Sequence, residues 1–331
     1  RDAAFVLVAG DVFESNMEER QLVLRALHAT REAAAPFYLL PGNHDPLAAG
    51  SVFLSPEFTA EGPPNVTVLD GMPVGAAPGV TLVSAPGCSK KTTADPIAVA
   101  CAAAAELAGA AIVAGHGRCE IFSPDTESPE LIRLAPAEAA VASGAVQYIA
   151  LGDRHSRTAV GSSGRIWYSG APEPTEYRET DPGLVLAVSL DGDAIQVEPV
   201  KVATWRFTEQ QWPINDSADV GRLRQWLDGL PTKERTILNL GIEGTVSLSV
   251  AADLEGVIDH FRPMFAAIER RTGDSDLLVV PSETDFSDLA LSGFAASAAK
   301  DLAELSADGG AEGREAGDAL RLLHRLARGA A

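Results

Sequence analysis

Short apolar runs alternate with stretches of helical periodicity over the first two-thirds of the chain. Phe5 to Ala9 is apolar enough for a buried strand, Met17 to Ala34 repeats its apolar residues at helical spacing, and Pro36 to Leu40 is apolar again. That order predicts strand, helix, strand in an α/β fold. Val66 to Leu69, Val80 to Ala85, Ala111 to Ala114 and Gln147 to Leu151 are further strand candidates, and an alanine-rich helix is expected from Asp95 to Leu107. From Arg165 the pattern turns β-rich, through Ile166 to Ser169, Leu184 to Leu190 and Ile195 to Val202. The Asp191-Gly192 pair between the last two predicts a hairpin. Near Thr204 the character changes again, which predicts domains 1–204 and 205–331. The second is expected to be a smaller α+β domain with strands at Trp205 to Thr208, Thr236 to Leu240 and Leu277 to Val280. Asp216 is placed to cap a helix from Ala218 to Leu230, and Ser297 to Leu326 reads as two helices broken at Asp308-Gly309-Gly310.

Length supports the division, because 331 residues exceed what a single core usually holds. The longest apolar stretch, Ile97 to Ala114, is interrupted by Glu106 and Gly109 and is expected to be a buried helix and strand, not a membrane span. Cys88, Cys101 and Cys119 lack the spacing of a disulfide framework or a zinc site, and fit a reducing cytoplasm. Charge changes the picture more. With 46 acidic against 26 basic residues the formal charge is −20, which opposes long-range attraction to nucleic acid. Bound cations and a few well-placed arginines can reverse that locally.

Four loop motifs carry the candidate chemistry: Gly10-Asp11, Gly42-Asn43-His44-Asp45, Gly115-His116 and Gly152-Asp153-Arg154-His155. Each follows an apolar run, so each is expected at the carboxyl end of a strand, where open α/β sheets bind ligands. Aspartate, asparagine and histidine offer the oxygen and nitrogen donors that manganese, iron or zinc take, and glycine permits the tight turn beneath them. Gly10-Asp11 alone is compatible with a plain turn and His116 alone with a buried core histidine. Asn43-His44-Asp45 is more specific, since a structural turn needs no adjacent imidazole and carboxylate.

The ordered set resembles the calcineurin-like metallophosphoesterase superfamily over about residues 1–204. Gly10-Asp11-Val12-Phe13-Glu14-Ser15-Asn16, and Tyr168-Ser169-Gly170-Ala171-Pro172-Glu173 followed by Glu179, resemble the SbcD and YhaO-like DNA repair exonucleases. The resemblance implies a layered α/β/β/α nuclease domain, a C-terminal cap, two divalent ions with Mn2+ foremost, and two-metal hydrolysis with a bridging hydroxide. It implies metal ligands at Asp11, Asn43, His116 and His155, and His44 as the proton donor to the leaving oxygen, oriented by Asp45. Asp153 stands where the family places a histidine, and a carboxylate there remains a competent ligand. Arg154, Arg157 and Arg178 are candidates for phosphate contacts. The family's first motif, an Asp-x-His on an earlier strand, would lie upstream of Arg1. DNA and an SbcC-like ATPase are the implied partners, a homodimer is compatible, and no membrane association is expected.

Two other readings share these residues: a phosphoesterase for a small phosphorylated or cyclic nucleotide substrate, which the charge favours, and a non-catalytic ATPase-binding subunit. His28, His260 and His324 sit in helical patterns without neighbouring ligands and are assigned no chemistry. Trp205, Trp212 and Trp226 are expected in the second domain's core. The tail leucines Leu302, Leu305, Leu320, Leu322, Leu323 and Leu326 are expected to pack on their own domain, with an apolar seam for a partner as the alternative.

Overall fold

The computed structural model describes residues 3–87, 94–125, 127–270, 277–280, 293–307 and 310–329; Arg1, Cys88 and the Asp308-Gly309 break lie outside them. The chain is mixed α/β and divides into two compact units, Arg1–Ala203 and Thr204–Ala331.

In the first unit, β1 (Val6–Val8), β2 (Phe37–Leu39) and β3 (Val66–Val68) pair in parallel. A second sheet contains β4 (Val74–Ala77), β5 (Val80–Ala85), β6 (Ala110–His116), β7 (Tyr148–Gly152), β8 (Thr158–Val160) and β9 (Ile166–Tyr168). Its order among the described residues is β4-β5-β6-β7-β9-β8, parallel through the centre with antiparallel strands at both edges. The helix α1 (Arg20–Arg31) begins three residues later than its periodicity predicts. Side chains hold the preceding turn: the Ser15 amide donates to Glu18 Oε1 at 3.0 Å, and the Met17 amide to Ser15 Oγ at 3.1 Å. Two short helical elements escaped the periodicity, α2 (Pro56–Glu61) and, after α3 (Pro96–Ala105), α4 (Leu134–Ala142). The α4 sequence LAPAEAAVA is apolar or small nearly all round, so it shows no amphipathic stripe.

Alternation along the strands divides the core. Val83, Val113, Ile149 and Leu151 pack with Ile97, Cys101 and Ala104 of α3 and with Ala137 and Val141 of α4. The intervening Leu82, Ile112, Ala114 and Tyr148 meet Tyr38 and Leu40 of the first sheet's strand and its exit. Leu39, between those two, faces the other way onto Val23 and Leu27 of α1. Each sheet therefore buries both faces, as parallel strands require, and a side chain as enclosed as Leu40 contributes about 1.5–3 kcal/mol by leaving water. The hairpin of β10 (Leu184–Asp191) and β11 (Ala194–Lys201) adds Val188, Leu190, Ile195 and Val197 to the middle cluster. Asp191 pairs with Ala194, so the turn residues are Gly192-Asp193, one place beyond the predicted pair. Gly192 takes the positive φ of 57° that the turn needs.

The second unit has its own sheet, with β12 (Arg206–Pro213), β13 (Thr236–Val246) and β14 (Ala267–Arg270) in parallel and β15 (Leu277–Val279) on the far end of β13. Leu238, Leu240 and Ile242 of β13 pack with Leu223 and Leu227 of α5 (Ser217–Gly229) and Leu254 and Ile258 of α6 (Leu248–Phe261). Trp212 and Trp226 pack on this core with ring centroids 5.6 Å apart, whereas Trp205, also expected there, is not part of it and is 44% exposed. The tail forms α7 (Phe294–Ala307) and α8 (Gly310–Gly329). Leu320, with Leu302 and Leu323, packs on Leu248, while Leu305, Leu322 and Leu326 face solvent.

Candidate metal centre

All four motifs lie at carboxyl ends of parallel strands in the first unit. Gly10-Asp11 follows β1, Gly42 to Asp45 follow β2, His116 ends β6, and Gly152 ends β7 with Asp153 to His155 after it. β6 and β7 are register neighbours, His116 lying beside Gly152. The loops approach so closely that a Cβ on Gly10 would collide with the His116 ring, and one on Gly152 with the Ala9 carbonyl. Gly10 also has φ of 99°. Glycine at these two places lets the backbones pass close enough for the side chains to meet.

They meet at His116. Its side chain is 2% exposed, its Nδ1 lies 2.9 Å from the Ala9 carbonyl oxygen, and its Nε2 lies 2.8 Å from Asn43 Oδ1 and 3.1 Å from Asp11 Oδ2. Asp153 Oδ1 stands 4.0 Å from the same nitrogen. Both aspartates hold left-handed backbone, φ 50° at Asp11 and 98° at Asp153, a conformation that costs of order 1–3 kcal/mol and persists only where surroundings impose it. Burial by itself would raise the Asp11 carboxyl, but the hydrogen bond and charge of His116 and the His44 amide outweigh it and hold its pKa below the usual value. Burial likewise opposes protonation of His116, and Asp11, the Ala9 carbonyl and Asp153 override it, raising its pKa.

The donor set tests whether a cation fits. A backbone carbonyl can only accept, so Nδ1 of His116 carries a proton, and a neutral ring then presents a lone pair at Nε2. That lone pair would face oxygens of Asn43, Asp11 and Asp153 that are themselves acceptors. Such a group needs a shared positive centre, a proton on the imidazole or a metal ion, and its mix of imidazole, amide and carboxylate suits a first-row divalent metal. Among the described residues no group of three or more His, Cys, Asp and Glu side chains is arranged so that it could hold a metal ion; the knot of acceptors gathered at His116 Nε2 includes Asn43 as well, and it is held there by hydrogen bonds to the ring. What fits a divalent ion here is the chemistry of the donors at the strand ends.

The remaining candidates sit around this knot in distinct roles. The His44 amide donates to Asp11 Oδ1 at 2.9 Å, while its exposed ring places Nδ1 3.1 Å from the Glu14 carbonyl oxygen and 3.2 Å from Glu14 Oε1. Glu14, not Asp45, is thus the carboxylate beside that imidazole. Asp45 is fully buried and accepts the Gly42 amide at 2.7 Å and the Phe13 amide at 2.9 Å, clamping the β1 and β2 loops together. Burial raises its pKa despite those amides. His155 is half exposed, with Nδ1 2.8 Å from Thr175 Oγ1 and 3.1 Å from Glu179 Oε1. Arg154 donates to Thr158 Oγ1 at 2.8 Å and lies 4.2 Å above the Phe122 ring. Arg157 reaches Asp181 at 3.5 Å and sits 6.0 Å from the Trp167 ring centroid. Arg178 is exposed. Glu14 and the burial of Glu179 were not assigned roles from sequence; a carboxylate three residues after Asp11 was the available signal for the first, and membership of the Tyr168 to Glu179 stretch for the second. No family model matches the chain, and no curated protein matches it.

Proposed function

We propose that the chain is a divalent-metal-dependent phosphodiesterase acting on DNA, an SbcD-like exonuclease subunit in DNA repair built on an α/β/β/α metallophosphoesterase domain with a C-terminal cap. The observation that carries this reading is the convergence of Asp11, Asn43 and Asp153 on Nε2 of His116. Asp11, Asn43, His116, Asp153 and His155 would hold two divalent ions, manganese foremost, and these supply the positive charge that stabilises the attacking and leaving oxygens of a phosphodiester. His44 is the exposed imidazole next to Asp11, suited to hold a proton for the leaving sugar oxygen, with Glu14 fixing its ring. Asp45 acts at one remove, by clamping the loop that carries Asn43 and His44. Arg178, and Arg154 and Arg157 on rearrangement, are the cations for phosphate. The cytoplasm, an SbcC-like ATPase partner and an optional homodimer belong to the same reading, and no described helix is long and apolar enough to cross a membrane.

The −20 charge favours the second reading, a small phosphorylated or cyclic nucleotide substrate. One experiment separates them: the full chain with manganese, assayed on end-labelled linear DNA and on a small chromogenic phosphodiester. Release of nucleotides from DNA at the higher kcat/KM supports the nuclease. Hydrolysis of the small ester alone replaces it with the second reading. No turnover of either, with no manganese bound, overturns both and leaves a non-catalytic, ATPase-binding subunit.

A further inference from the structure

His155 lies outside the knot at His116 and has a support of its own. Glu179 is 24 positions away in sequence, and its side chain is 1% exposed although His155 is 55% exposed. A buried carboxylate is costly unless its oxygens are occupied. Here Oε1 and Oε2 accept the Thr175 amide at 3.3 and 3.1 Å, and Oε1 also accepts the Thr175 hydroxyl. That last bond decides the state of the histidine. A threonine hydroxyl has a single proton, and here it points at Glu179. Thr175 Oγ1 can then only accept from His155 Nδ1, 2.8 Å away, just as Glu179 Oε1 can only accept from it at 3.1 Å.

We propose that Glu179, acting directly and through Thr175, is a positioning residue that locks the proton of His155 on Nδ1, so that Nε2 presents its lone pair to the divalent ion assigned above. The inference rests on the metal-dependent reading for the identity of what Nε2 meets, but not for the tautomer itself. Orienting carboxylates of this kind fix ring and tautomer and raise the basicity of the ligating nitrogen. Pre-ordering matters at this position because the ring is half exposed, and without its two acceptors it would rotate and share its proton between both nitrogens. Ala171 contributes to the same order from the backbone, donating its amide to the His155 carbonyl at 2.9 Å.

The test uses the full chain, wild type beside Glu179→Gln, Thr175→Val and the conservative Thr175→Ser. Two-dimensional 15N–1H spectra of the metal-free proteins report the His155 tautomer, and calorimetric titration with manganese reports affinity. The wild type and Thr175→Ser are expected to show protonated Nδ1 and unprotonated Nε2. Glu179→Gln is expected to show a tautomer mixture and a manganese affinity weakened about 10–100-fold at the site containing His155, and Thr175→Val, which leaves Glu179 Oε1 as an acceptor, a smaller change of the same sign. An unchanged tautomer and unchanged affinity in both variants overturns the positioning role. If Glu179→Gln fails to fold, Glu179→Asp decides alone, since it keeps the charge and draws the carboxylate away from His155 Nδ1. The locked tautomer without manganese binding by the wild type counts against the metal-dependent reading and leaves only the orientation of His155 standing, so the two failures are distinguishable.

Discussion

Both units run parallel strands into loops at their carboxyl ends, and they use the polar residues of those loops in opposite ways. In the second unit Asp216 accepts the Asp219 amide and starts α5, Ser247 accepts the Val250 amide and starts α6, and Asn215 accepts the Thr245 amide. Asp219 accepts the Asn215 amide and pairs with Arg222. Each acceptor there meets a donor. In the first unit Asp11, Asn43 and Asp153 direct acceptors at one imidazole nitrogen, and both aspartates hold left-handed backbone. The carboxyl end of a parallel strand therefore supplies only a place. What distinguishes a candidate chemical site is an excess of acceptors that share a need for a cation; left-handed backbone alone does not, since Thr232 of the second unit has φ of 49° at the start of a short helical turn.

The contrast breaks most visibly at Asp11. Asp11→Ala is expected to reduce phosphodiester hydrolysis to background and to lower manganese content, because it would remove one of the proposed ligands; full metal content by elemental analysis would sink that assignment. His44→Ala is expected to keep the metal while turnover falls about 10²–10⁴-fold, the usual loss for a general acid. Joint loss of metal and turnover would show that His44 is a ligand instead.

Stability tests address the acceptors that do meet donors. Asp45→Ala strands the Gly42 and Phe13 amides in the core, at about 1–3 kcal/mol for each buried unsatisfied group, and is expected to lower the melting temperature of the first unit. An unchanged melt would mean that Asp45 is no clamp. Asp216→Ala removes a helix N-cap and should cost the second unit about 1 kcal/mol, read in the unfolding transition of Trp226 on α5, with metal content untouched.

The legible parts of this fold are those whose physics is local. Val80 to Ala85 is rich in apolar and β-branched residues and forms the strand β5 over the same residues. Asp216 was readable as a cap because an acidic residue precedes an amphipathic repeat, and it caps α5, whose first residue is Ser217 instead of Ala218. The short α2, the uniformly apolar α4 and the edge strands β4 and β8 left no period to read, since tertiary burial rather than pattern holds them. At the site, the motifs indicated which residue types gather at strand ends. They did not reveal that Asp45 turns inward to backbone amides while Glu14 takes the place beside His44, because both are acidic residues near one turn and only the path of the β1 and β2 loops separates them.

The smallest effect is the most specific to the comparison. Asp153 has φ of 98°, beyond the left-handed region that aspartate tolerates well, whereas glycine occupies that conformation freely. Asp153→Gly therefore relieves strain in the folded chain, offset in part by the greater freedom of glycine in the unfolded one. The balance should stabilise the metal-free first unit by about 1 kcal/mol, raising its melting temperature by about 2–4 °C for a unit of this size. The same substitution withdraws an oxygen from the surroundings of His116 Nε2, so manganese affinity should fall as stability rises. A cap such as Asp216 cannot behave this way, because its acceptor stabilises the fold it belongs to. Calorimetric melting in chelator, followed by manganese titration of the same sample, checks both signs. A lower melting temperature with undiminished affinity would show that Asp153 serves the turn and not the metal, and would return it to the same class as Asp216.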